Sequence, residues 1–224
     1  MHSDLIIRPV TENDAPRLLE IFGPYVEHTA VSFDWEVPSP EAFIEKIHRI
    51  TLLHPWLAAV KDGIVIGYAY ASPFKVQAAY CWSVETSIYL DPQYQHQGVG
   101  RILYTHLEDI LRRQNIVNAC ACIAYPHPVS IAFHKSMGYE ECGHFHCSGY
   151  KLGQWQDMIW MEKALMPHPK EPQPFIPYSQ LSDFPAEVLH KTSAVPASLP
   201  PTASIPPSAS EIAKTPKIPV KIKW

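Results

Sequence analysis

The pattern of hydrophobic and polar residues predicts two helices near the start of the chain, each burying one face. Apolar residues at three- to four-residue spacing predict one helix around residues 18–22 and a second over residues 43–50. A capping segment at residues 11–14 precedes the first helix. Ser39, a favoured capping residue, precedes the second, with Pro40 in its first turn. Both helices should therefore pack against another layer of structure.

Strand-like runs follow, and the clearest of them form a hairpin. Apolar residues 56–60 and 64–71 flank Lys61-Asp62-Gly63, and Asp-Gly supplies the positive φ angles of a tight turn. The other predicted elements are strands over residues 5–8, 82–90, 117–124, 140–145 and 157–162, and helices over residues 102–114 and 130–137. This order is typical of a mixed α/β domain and leaves several folds open.

The sequence changes character after about Met166, where proline, serine and alanine dominate. Of the 23 prolines, 13 lie in residues 167–224, and such a composition cannot bury a core of its own. Phe175 and a few other apolar residues could still dock on the preceding domain. We therefore predict one domain over residues 1–165 and a mostly extended or disordered tail over residues 166–224.

Composition and charge argue against several classes of protein. The net charge is −4 and the isoelectric point is about 6.3, so the chain lacks the basic surface that neutralises nucleic-acid phosphates. No apolar run reaches the length of a membrane-spanning helix, and the N-terminus does not resemble a signal peptide. The odd number of cysteines, five, favours a reducing cytoplasm. A small-molecule partner fits this profile best.

A glycine-bearing turn between a predicted strand and a predicted helix is the first candidate binding site. It reads Gln95-His96-Gln97-Gly98-Val99-Gly100-Arg101. Backbone N–H groups at the start of a helix favour a phosphate there. A Walker loop is excluded because Arg101-Ile102 stand where Lys and Ser or Thr are needed, and a dinucleotide fingerprint is excluded because Leu103 replaces its third glycine. A glycine-rich connection without a ligand remains the alternative.

The pattern Gln-x-x-Gly-x-Gly resembles the pyrophosphate loop of the GCN5-related (GNAT) acetyltransferases, in which backbone amides hold the diphosphate of coenzyme A. Further segments are similar to the phosphinothricin acetyltransferase branch of that family, in the same order and spacing. They are residues 54–57, 67–71, 80–85, 103–107, 130–139 and 149–157. The resemblance covers about residues 3–164, so the chain is identified as a member of this branch.

The resemblance implies a fold, a cosubstrate and an assembly. The expected fold is the α/β GNAT fold, a mixed and mostly antiparallel central sheet flanked by about four helices, with splayed strands where acetyl-CoA binds. The expected assembly is a homodimer with the closing strands near its interface. No metal is expected as a cofactor.

The resemblance also assigns catalytic roles. Acetyl transfer needs a neutral amine, because an ammonium group has no lone pair with which to attack the thioester. Glu85 matches the catalytic glutamate that removes this proton, although an ordinary salt bridge is the alternative for this residue. Backbone amides of Ile88, Tyr89 and Leu90 would bind the pantetheine and polarise the thioester carbonyl. His134 matches a histidine of the branch and could act as acid or base.

Two further residues near this site have open roles. Tyr104 could support the cofactor through a hydrogen bond, and core packing explains it equally well. His127 stands where the family has an asparagine that binds coenzyme A. Histidine can still donate one hydrogen bond there, although its shape differs.

The resemblance places Phe33, Lys75 and Tyr80 in the pocket for a small amino acid. Gln77 and Asp34 stand where arginines are expected, so recognition of a charged phosphinate should be weaker than in the type enzymes. Gln77 can still hydrogen-bond a neutral sulfone or sulfoximine oxygen. We therefore expect an N-acetyltransferase of phosphinothricin-like, methionine sulfone-like and methionine sulfoximine-like amino acids, acting by direct transfer in a ternary complex.

Other cysteines and histidines were weighed as alternative sites. Cys142, His144 and His146 alternate along a predicted strand beside Cys147 and could ligate zinc. No second ligand pair follows at zinc-finger spacing, so a metal site is not expected here. The strand that carries Cys120 and Cys122 is predicted to be buried, which makes both of them core thiols.

Two other functions remain open from the sequence. The same fold could acetylate a protein or peptide amine, although the matched amino-acid pocket argues against this. The chain could also be a silent acyl-CoA-binding or scaffold module whose proline-rich tail docks partners. Retention of both Glu85 and His134 disfavours a silent module.

Overall fold

The described residues form one sheet flanked by helices. A computed structural model describes residues 5–181 and the backbone of residues 188–190. The strands in this part of the chain are β1 (Leu5–Pro9), β2 (Trp56–Lys61), β3 (Ile64–Pro73), β4 (Ser83–Leu90), β5 (Asn118–Tyr125), β6 (Glu140–Lys151), β7 (Gln154–Ala164) and β8 (Val188–His190). The helices are α1 (Ala15–His28), α2 (Pro40–Leu53), α3 (Val99–Arg113) and α4 (Pro128–Ser136). No helix among the described residues has the length and apolar character needed to cross a membrane.

The sheet is mixed and mostly antiparallel. Its order is β6-β7-β5-β4-β3-β2-β1-β8, and β4 with β5 is the one parallel pair within the described residues. These two strands pair over only three positions, Ser83–Glu85 with Asn118–Cys120. Beyond these positions they run on without pairing, which opens a cleft in the middle of the sheet. The predicted mixed sheet with four helices and splayed strands is therefore confirmed.

Two hydrophobic clusters cover the two faces of the sheet. Strand β2 contributes to both, because successive side chains on a strand point to opposite faces. Leu57 and Ala59 join the cluster under α3, whereas Trp56 and Ala58 join the cluster under α1 and α2. Burial on both faces explains why β2 reads as a continuous apolar run rather than an alternating one.

Local signals predicted from the sequence form as expected. The side chain of Ser39 accepts a hydrogen bond from the backbone N–H of Ala42 and so caps α2, with an N···O distance of 3.2 Å. Asp62 and Gly63 both adopt positive φ, 52° and 78°, in the turn between β2 and β3. Gly138 lies just beyond α4 with a φ of 87°, a conformation that glycine adopts without strain.

Part of the predicted tail packs against the body. The backbone N–H of Ile176 donates to the carbonyl of Gln114, and the indole N–H of Trp82 donates to the carbonyl of Gln173, over 3.1 and 2.7 Å. Strand β8 pairs with β1. The sheet thus includes three residues of the segment predicted as tail, and residues 182–187 and 191–224 of that segment lie outside the described residues.

Candidate active site

The gap between β4 and β5 forms a cleft at the centre of the sheet. The cleft is lined by strand residues Thr86–Tyr89 and Ala121–Ala124, by Tyr104 of α3, by Ser130 and His134 of α4, and by Val31 and His127. A second cavity shares Val31, Ala124 and His127 with the first, and extends to Tyr125, Gln154 and Gln156. The two cavities therefore adjoin each other at these three residues.

The free edge of β4 borders this cleft. Its other edge pairs with β3, where Ala69 lies opposite Ile88 and Tyr68 opposite Tyr89. Ile88 and Tyr89 line the cleft. Leu90 does not, and its carbonyl accepts a hydrogen bond from the Tyr25 hydroxyl at 2.6 Å. Of the three predicted contacts to a pantetheine, the first two therefore face the opening.

Helix α3 begins beside the cleft. Gly98 precedes it with a φ of 81°, so the helix starts from a conformation that suits glycine. The first backbone N–H groups of a helix, here those of Val99, Gly100 and Arg101, have no partner within the helix. A Cβ atom on Gly100 would lie 3.4 Å from side-chain atoms of Ile88 and of Phe133. The lack of a side chain thus lets the helix start pack against the cleft wall.

The longer side chains of the glycine turn brace the turn itself. The amide of Gln95 donates to the Tyr25 hydroxyl at 2.8 Å, and the amide of Gln97 donates to the carbonyl of Gln93 at 2.9 Å. The guanidinium of Arg101 donates to the hydroxyl of Ser136 at 2.9 Å. His96 adopts a positive φ of 59°. The turn therefore leads into a helix start whose backbone amides, at Val99, Gly100 and Arg101, are available to an anion.

Glu85 occupies the last paired position of β4 before the strands diverge. It lies opposite Ser72 of β3 and Cys120 of β5 and is partly buried. Burial raises the pKa of the Glu85 carboxyl above its ordinary value, while the positive charges of Lys75 and Lys46 partly oppose that shift. A carboxylate with a raised pKa is a better proton acceptor than an exposed one.

His134 lines the cleft, is buried, and is hydrogen-bonded through both ring nitrogens. Its Nδ1 lies 2.8 Å from the carbonyl oxygen of Ser130, and its Nε2 lies 3.0 Å from the Tyr104 hydroxyl. The Tyr104 hydroxyl is also 3.2 Å from the Thr86 hydroxyl, which donates to the carbonyl of Cys120. Because a carbonyl only accepts, Nδ1 carries a proton. Burial lowers the pKa of His134.

This chain of hydrogen bonds can hold His134 in either protonation state. When the imidazole is neutral, its Nε2 accepts the hydrogen of Tyr104. When it is charged, Nε2 donates to Tyr104, and Tyr104 donates in turn to Thr86. A proton can therefore move between His134 and the cleft by way of the Tyr104 hydroxyl.

His127 has a structural role that the sequence did not indicate. Its Nδ1 accepts a hydrogen bond from the backbone N–H of Ser130 at 3.1 Å, so His127 caps α4. In the neutral ring the proton then sits on Nε2, which can donate one hydrogen bond. Ser, Thr, Asp and Asn are the usual capping residues, and this is why pattern reading missed a histidine cap.

The residues predicted to bind the amino-acid substrate lie outside the two cavities. Lys75, Gln77 and Tyr80 are exposed in the segment between β3 and β4, and Lys75 is close enough for its charge to act on Glu85. Phe33 packs against Gly149, where a Cβ atom would lie 2.5 Å from the Phe33 ring. The structure thus brings Lys75 near Glu85 and leaves Gln77 and Tyr80 at the protein surface.

Three residues near the site were missed or assigned differently from the sequence. Thr86 belongs to the His134 network, and the hydroxyl of a strand threonine gives no sequence signal for this. Cys122 lines the cleft rather than only the core, and burial raises the pKa of its thiol to about 12, so the thiol stays protonated. Buried Lys151 donates from Nζ to the carbonyl of Ser32 and so holds the segment that carries Phe33.

The predicted grouping of Cys142 with His144 and His146 is wrong. The pairing register between β6 and β7 shifts between Glu141 and Gly143, and the Cys142 thiol lies 3.4 Å from the carbonyl oxygen of Trp160. The two histidines instead meet Asp157 of β7. Strand alternation alone could not predict this, because a bulge changes which side chains share a face.

Comparison with known proteins places the chain in a family. The family described as "Acetyltransferase (GNAT) domain" matches residues 7–160. A phosphinothricin N-acetyltransferase of Streptomyces viridochromogenes is 35% identical over 78% of this chain and 95% of its own length. An L-methionine sulfoximine/L-methionine sulfone acetyltransferase of Salmonella typhimurium is 30% identical over 73% of this chain and 96% of its own.

A solved structure agrees with these relatives. The GNAT superfamily phosphinothricin acetyltransferase from Sinorhizobium meliloti, in complex with AcCoA, aligns with a TM-score of 0.72 and 30% identity, over 80% of this chain and 99% of its own. The fold, the cleft and these similarities agree with the resemblance seen in the sequence. The chain therefore belongs to the GNAT family of N-acetyltransferases, in its phosphinothricin acetyltransferase-like branch.

Proposed function

We propose that the protein transfers an acetyl group from acetyl-CoA to the α-amine of a small amino acid of the phosphinothricin, methionine sulfone or methionine sulfoximine type. The observation that carries this proposal is the cleft between β4 and β5, which opens at the half-buried Glu85 and borders the start of α3. As a member of its family, the protein is an acetyl-CoA-dependent N-acetyltransferase.

Backbone groups at two places would hold the acetyl donor. The N–H groups of residues 98–101 suit the diphosphate, because a helix N-terminus favours an anion. The free edge of β4 at Ile88 and Tyr89 suits an extended pantetheine chain. The sequence also predicted a contact from Leu90, which does not line the cleft. The Nε2–H of His127 can donate a further hydrogen bond. When bound there, acetyl-CoA supplies an activated thioester carbonyl.

Glu85 and His134 divide the proton transfers between them. Glu85 accepts the proton of the attacking amine, directly or through water, as the new N–C bond forms and the C–S bond breaks. The departing thiolate takes a proton from the Tyr104 hydroxyl, and His134, which enters this step as the charged imidazolium, returns its Nε2 proton to Tyr104 and becomes neutral. His134 acts through Tyr104 because both of its ring nitrogens are already hydrogen-bonded. Protons and charges balance over the two transfers.

The positive charge of Lys75 near Glu85 supports an acceptor that carries an α-carboxylate, as a free amino acid does. Lys75 is exposed beside Glu85 and can pair with the α-carboxylate of a substrate. Gln77 can hydrogen-bond a neutral sulfone or sulfoximine oxygen but adds no charge. The relatives that act on phosphinothricin and on methionine sulfoximine or sulfone support this class. Acetylation removes the charge of the α-amine, so we propose a detoxifying or resistance role.

A substrate panel tests the proposal. Release of coenzyme A is followed with a thiol reagent for phosphinothricin, methionine sulfone, methionine sulfoximine, ordinary amino acids and a peptide amine. We expect turnover of the three analogues and little of the peptide. Glu85→Gln should lose about 10²- to 10⁴-fold in kcat/KM and keep its acetyl-CoA affinity, whereas Glu140→Gln, an exposed strand carboxylate, should behave as wild type. Preference for the peptide would overturn the substrate class.

We also propose a homodimer in a reducing cytoplasm. Leu152 and Trp155 leave 45% and 63% of their surface exposed on the β6–β7 hairpin, beside the exposed Tyr150, and apolar patches of this kind mark interfaces. All five cysteines are free thiols, as expected where disulfides do not form. Light scattering during gel filtration gives the mass in solution, and a monomer at every concentration would overturn the dimer.

A further inference from the structure

A cluster of three potential metal ligands lies on β6 and β7, apart from Glu85 and His134. His144 Nε2 is 2.9 Å from Asp157 Oδ2, and His146 Nδ1 is 3.0 Å from the same oxygen. All three residues offer donor atoms within 4.8 Å of one another. We propose that His144, His146 and Asp157 bind one divalent transition-metal ion of the zinc class, with water completing its coordination.

A bulge in β6 arranges these ligands. Residues two apart share a face of a strand, and the rings of His144 and His146 lie 4.2 Å apart. The pairing register shifts between Phe145 and Gly149, and Cys147 adopts a φ of 49°. Its backbone N–H then donates to Asp157 Oδ1 at 2.8 Å. One carboxylate oxygen is thus held by the backbone while the other points at both imidazoles.

The hydrogen bond from the Cys147 N–H to Asp157 resembles those that orient the ligands of known metal sites. In known sites, hydrogen bonds from the surrounding protein fix the orientation of each ligating group, and changing them weakens metal binding. Here the Cys147 N–H fixes the carboxylate without using the oxygen that faces the histidines. The site is therefore oriented before an ion arrives.

The separations between donor atoms suit an ion. Zinc binds histidine nitrogen and carboxylate oxygen at about 2.0–2.1 Å, which separates two ligands by about 2.9 Å at a right angle and about 3.3 Å at a tetrahedral angle. The N···O distances of 2.9 and 3.0 Å fall at the lower end of this range. Binding would replace the shared proton of each N···O pair and would draw together three donor atoms that already lie within 4.8 Å of one another.

The ligand set also selects the kind of metal. Two imidazole nitrogens with one carboxylate oxygen suit zinc, nickel, copper and cobalt, whereas magnesium and calcium prefer oxygen ligands alone. The side chains of His144 and Asp157 are each 27% exposed, so an ion and its water ligands can reach them. The exposed pair of His48 and Glu12, 3.1 Å apart, differs from this cluster because it forms no group of three potential ligands within the described residues.

The cluster adjoins the cavity beside the cleft. The ring of His144 lies 4.7 Å from the ring of Tyr125, and Tyr125 lines that cavity. Asp157 faces Tyr125 across the β5–β7 pair. An ion at the cluster would stiffen this wall, while the proposed transfer itself uses other residues and needs no metal.

Metal titration tests this site independently of acetyl transfer. The full chain, freed of any histidine tag and treated with a chelator, is titrated with zinc in a calorimeter and with cobalt by visible absorption. We expect one ion per chain at micromolar or tighter affinity. His146→Asn and Asp157→Asn should each weaken binding at least about tenfold. The matched control His48→Asn should bind as wild type.

The same titrations can overturn the site. Absence of zinc and cobalt binding by the wild type would refute it, as would equal affinity of the wild type, His146→Asn and Asp157→Asn. Equal weakening by His48→Asn would show binding to scattered histidines instead. His146 is the informative position if Asp157→Asn fails to fold, because 75% of its side chain is exposed and its loss should leave the fold intact.

Discussion

At the scale of single residues, the charge around Glu85 should set the acid limit of activity. Burial raises the pKa of Glu85, and Lys75 opposes that shift. Lys75→Met should therefore raise the pKa further. Because the base must be deprotonated to act, kcat/KM should then be lost at a higher pH as the solution is acidified. Profiles of kcat/KM against pH measure this shift.

A control variant and the shape of the pH profile separate this electrostatic effect from a loss of substrate binding. Lys170→Met removes an exposed lysine that does not contribute to the pKa of Glu85, so its profile should match that of the wild type. Weaker binding of substrate by Lys75→Met would lower kcat/KM equally at every pH. An unmoved acid limb in Lys75→Met would thus remove Glu85 as the titrating base.

The pair Tyr104 and His134 should behave as one unit. Tyr104→Phe removes the hydroxyl that is hydrogen-bonded to His134, and we expect kcat to fall about 10²-fold, the lower range for general acid–base catalysis. His134→Asn should cost a similar factor, and the double variant no more than either single one. Steady-state kinetics on the four proteins decides this. Multiplied losses would mean that the two residues act separately.

The candidate roles of single residues could be predicted where a sequence motif carries them. They could not be predicted where they depend on a hydrogen bond that only the folded backbone brings about. Glu85 and His134 were singled out from matched segments; Glu85 lies where β4 and β5 part, and His134 lines the cleft. The capping role of His127 and the meeting of Asp157 with two histidines were not predicted. Both depend on a hydrogen bond whose partner is fixed by the local backbone path, and a single sequence does not specify that path.

At the scale of elements, the start of α3 should distinguish backbone strain from ligand binding. Gly98 and Gly63 have φ angles of 81° and 78°, and a Cβ atom on either would meet nothing within 4 Å. Gly98→Ala and Gly63→Ala should each lower the free energy of unfolding by about 1 kcal/mol, the cost of a left-handed alanine. Only Gly98→Ala should weaken acetyl-CoA binding, because Gly63 lies in the β2–β3 turn.

Denaturant unfolding and calorimetric titration with acetyl-CoA measure the two effects. Because the two substitutions carry the same backbone cost, Gly63→Ala corrects for any general loss of stability. If both variants are fully folded and bind acetyl-CoA with equal affinity, the start of α3 does not hold the cosubstrate.

Element prediction succeeded where periodicity was regular. The helices and the β2–β3 hairpin were placed within a few residues, because amphipathic spacing and Asp-Gly are local signals. Strands β6 and β7 are longer than predicted, running over Glu140–Lys151 and Gln154–Ala164. Register shifts near Cys142 and His146 break the alternation on which strand prediction relies.

At the scale of the whole molecule, the position of the cleft follows from strand pairing over long sequence distances. The fold class was predicted from the resemblance, but the point at which β4 and β5 part was not, because Glu85 and Cys120 meet only in the assembled sheet. The strand β8 was also missed. It has three residues in a proline-rich region and forms by pairing with β1, which no local pattern indicates.

The docked part of the tail should contribute to the stability of the whole fold. Gln114 is fully buried, and its amide donates to the carbonyls of Leu53 and Ile176 at 2.7 and 2.9 Å. Phe175 and Tyr178 pack against the hydrophobic cluster under α3. Ending the chain after Met166 would remove these contacts and uncover apolar surface, so we expect a loss of about 2–4 kcal/mol in the free energy of unfolding.

The matched comparison is a chain that ends after His190, which keeps every docked contact of the described tail and the pairing of β8 with β1. Denaturant unfolding of the two truncated proteins then isolates residues 167–190. A difference well below 1 kcal/mol would show that the domain predicted over residues 1–165 is sufficient by itself. The expected difference of about 2–4 kcal/mol would instead place the end of the folded domain at the end of β8. In the chain that ends after Met166, Gln114 and Trp82 lose their hydrogen-bond partners Ile176 and Gln173.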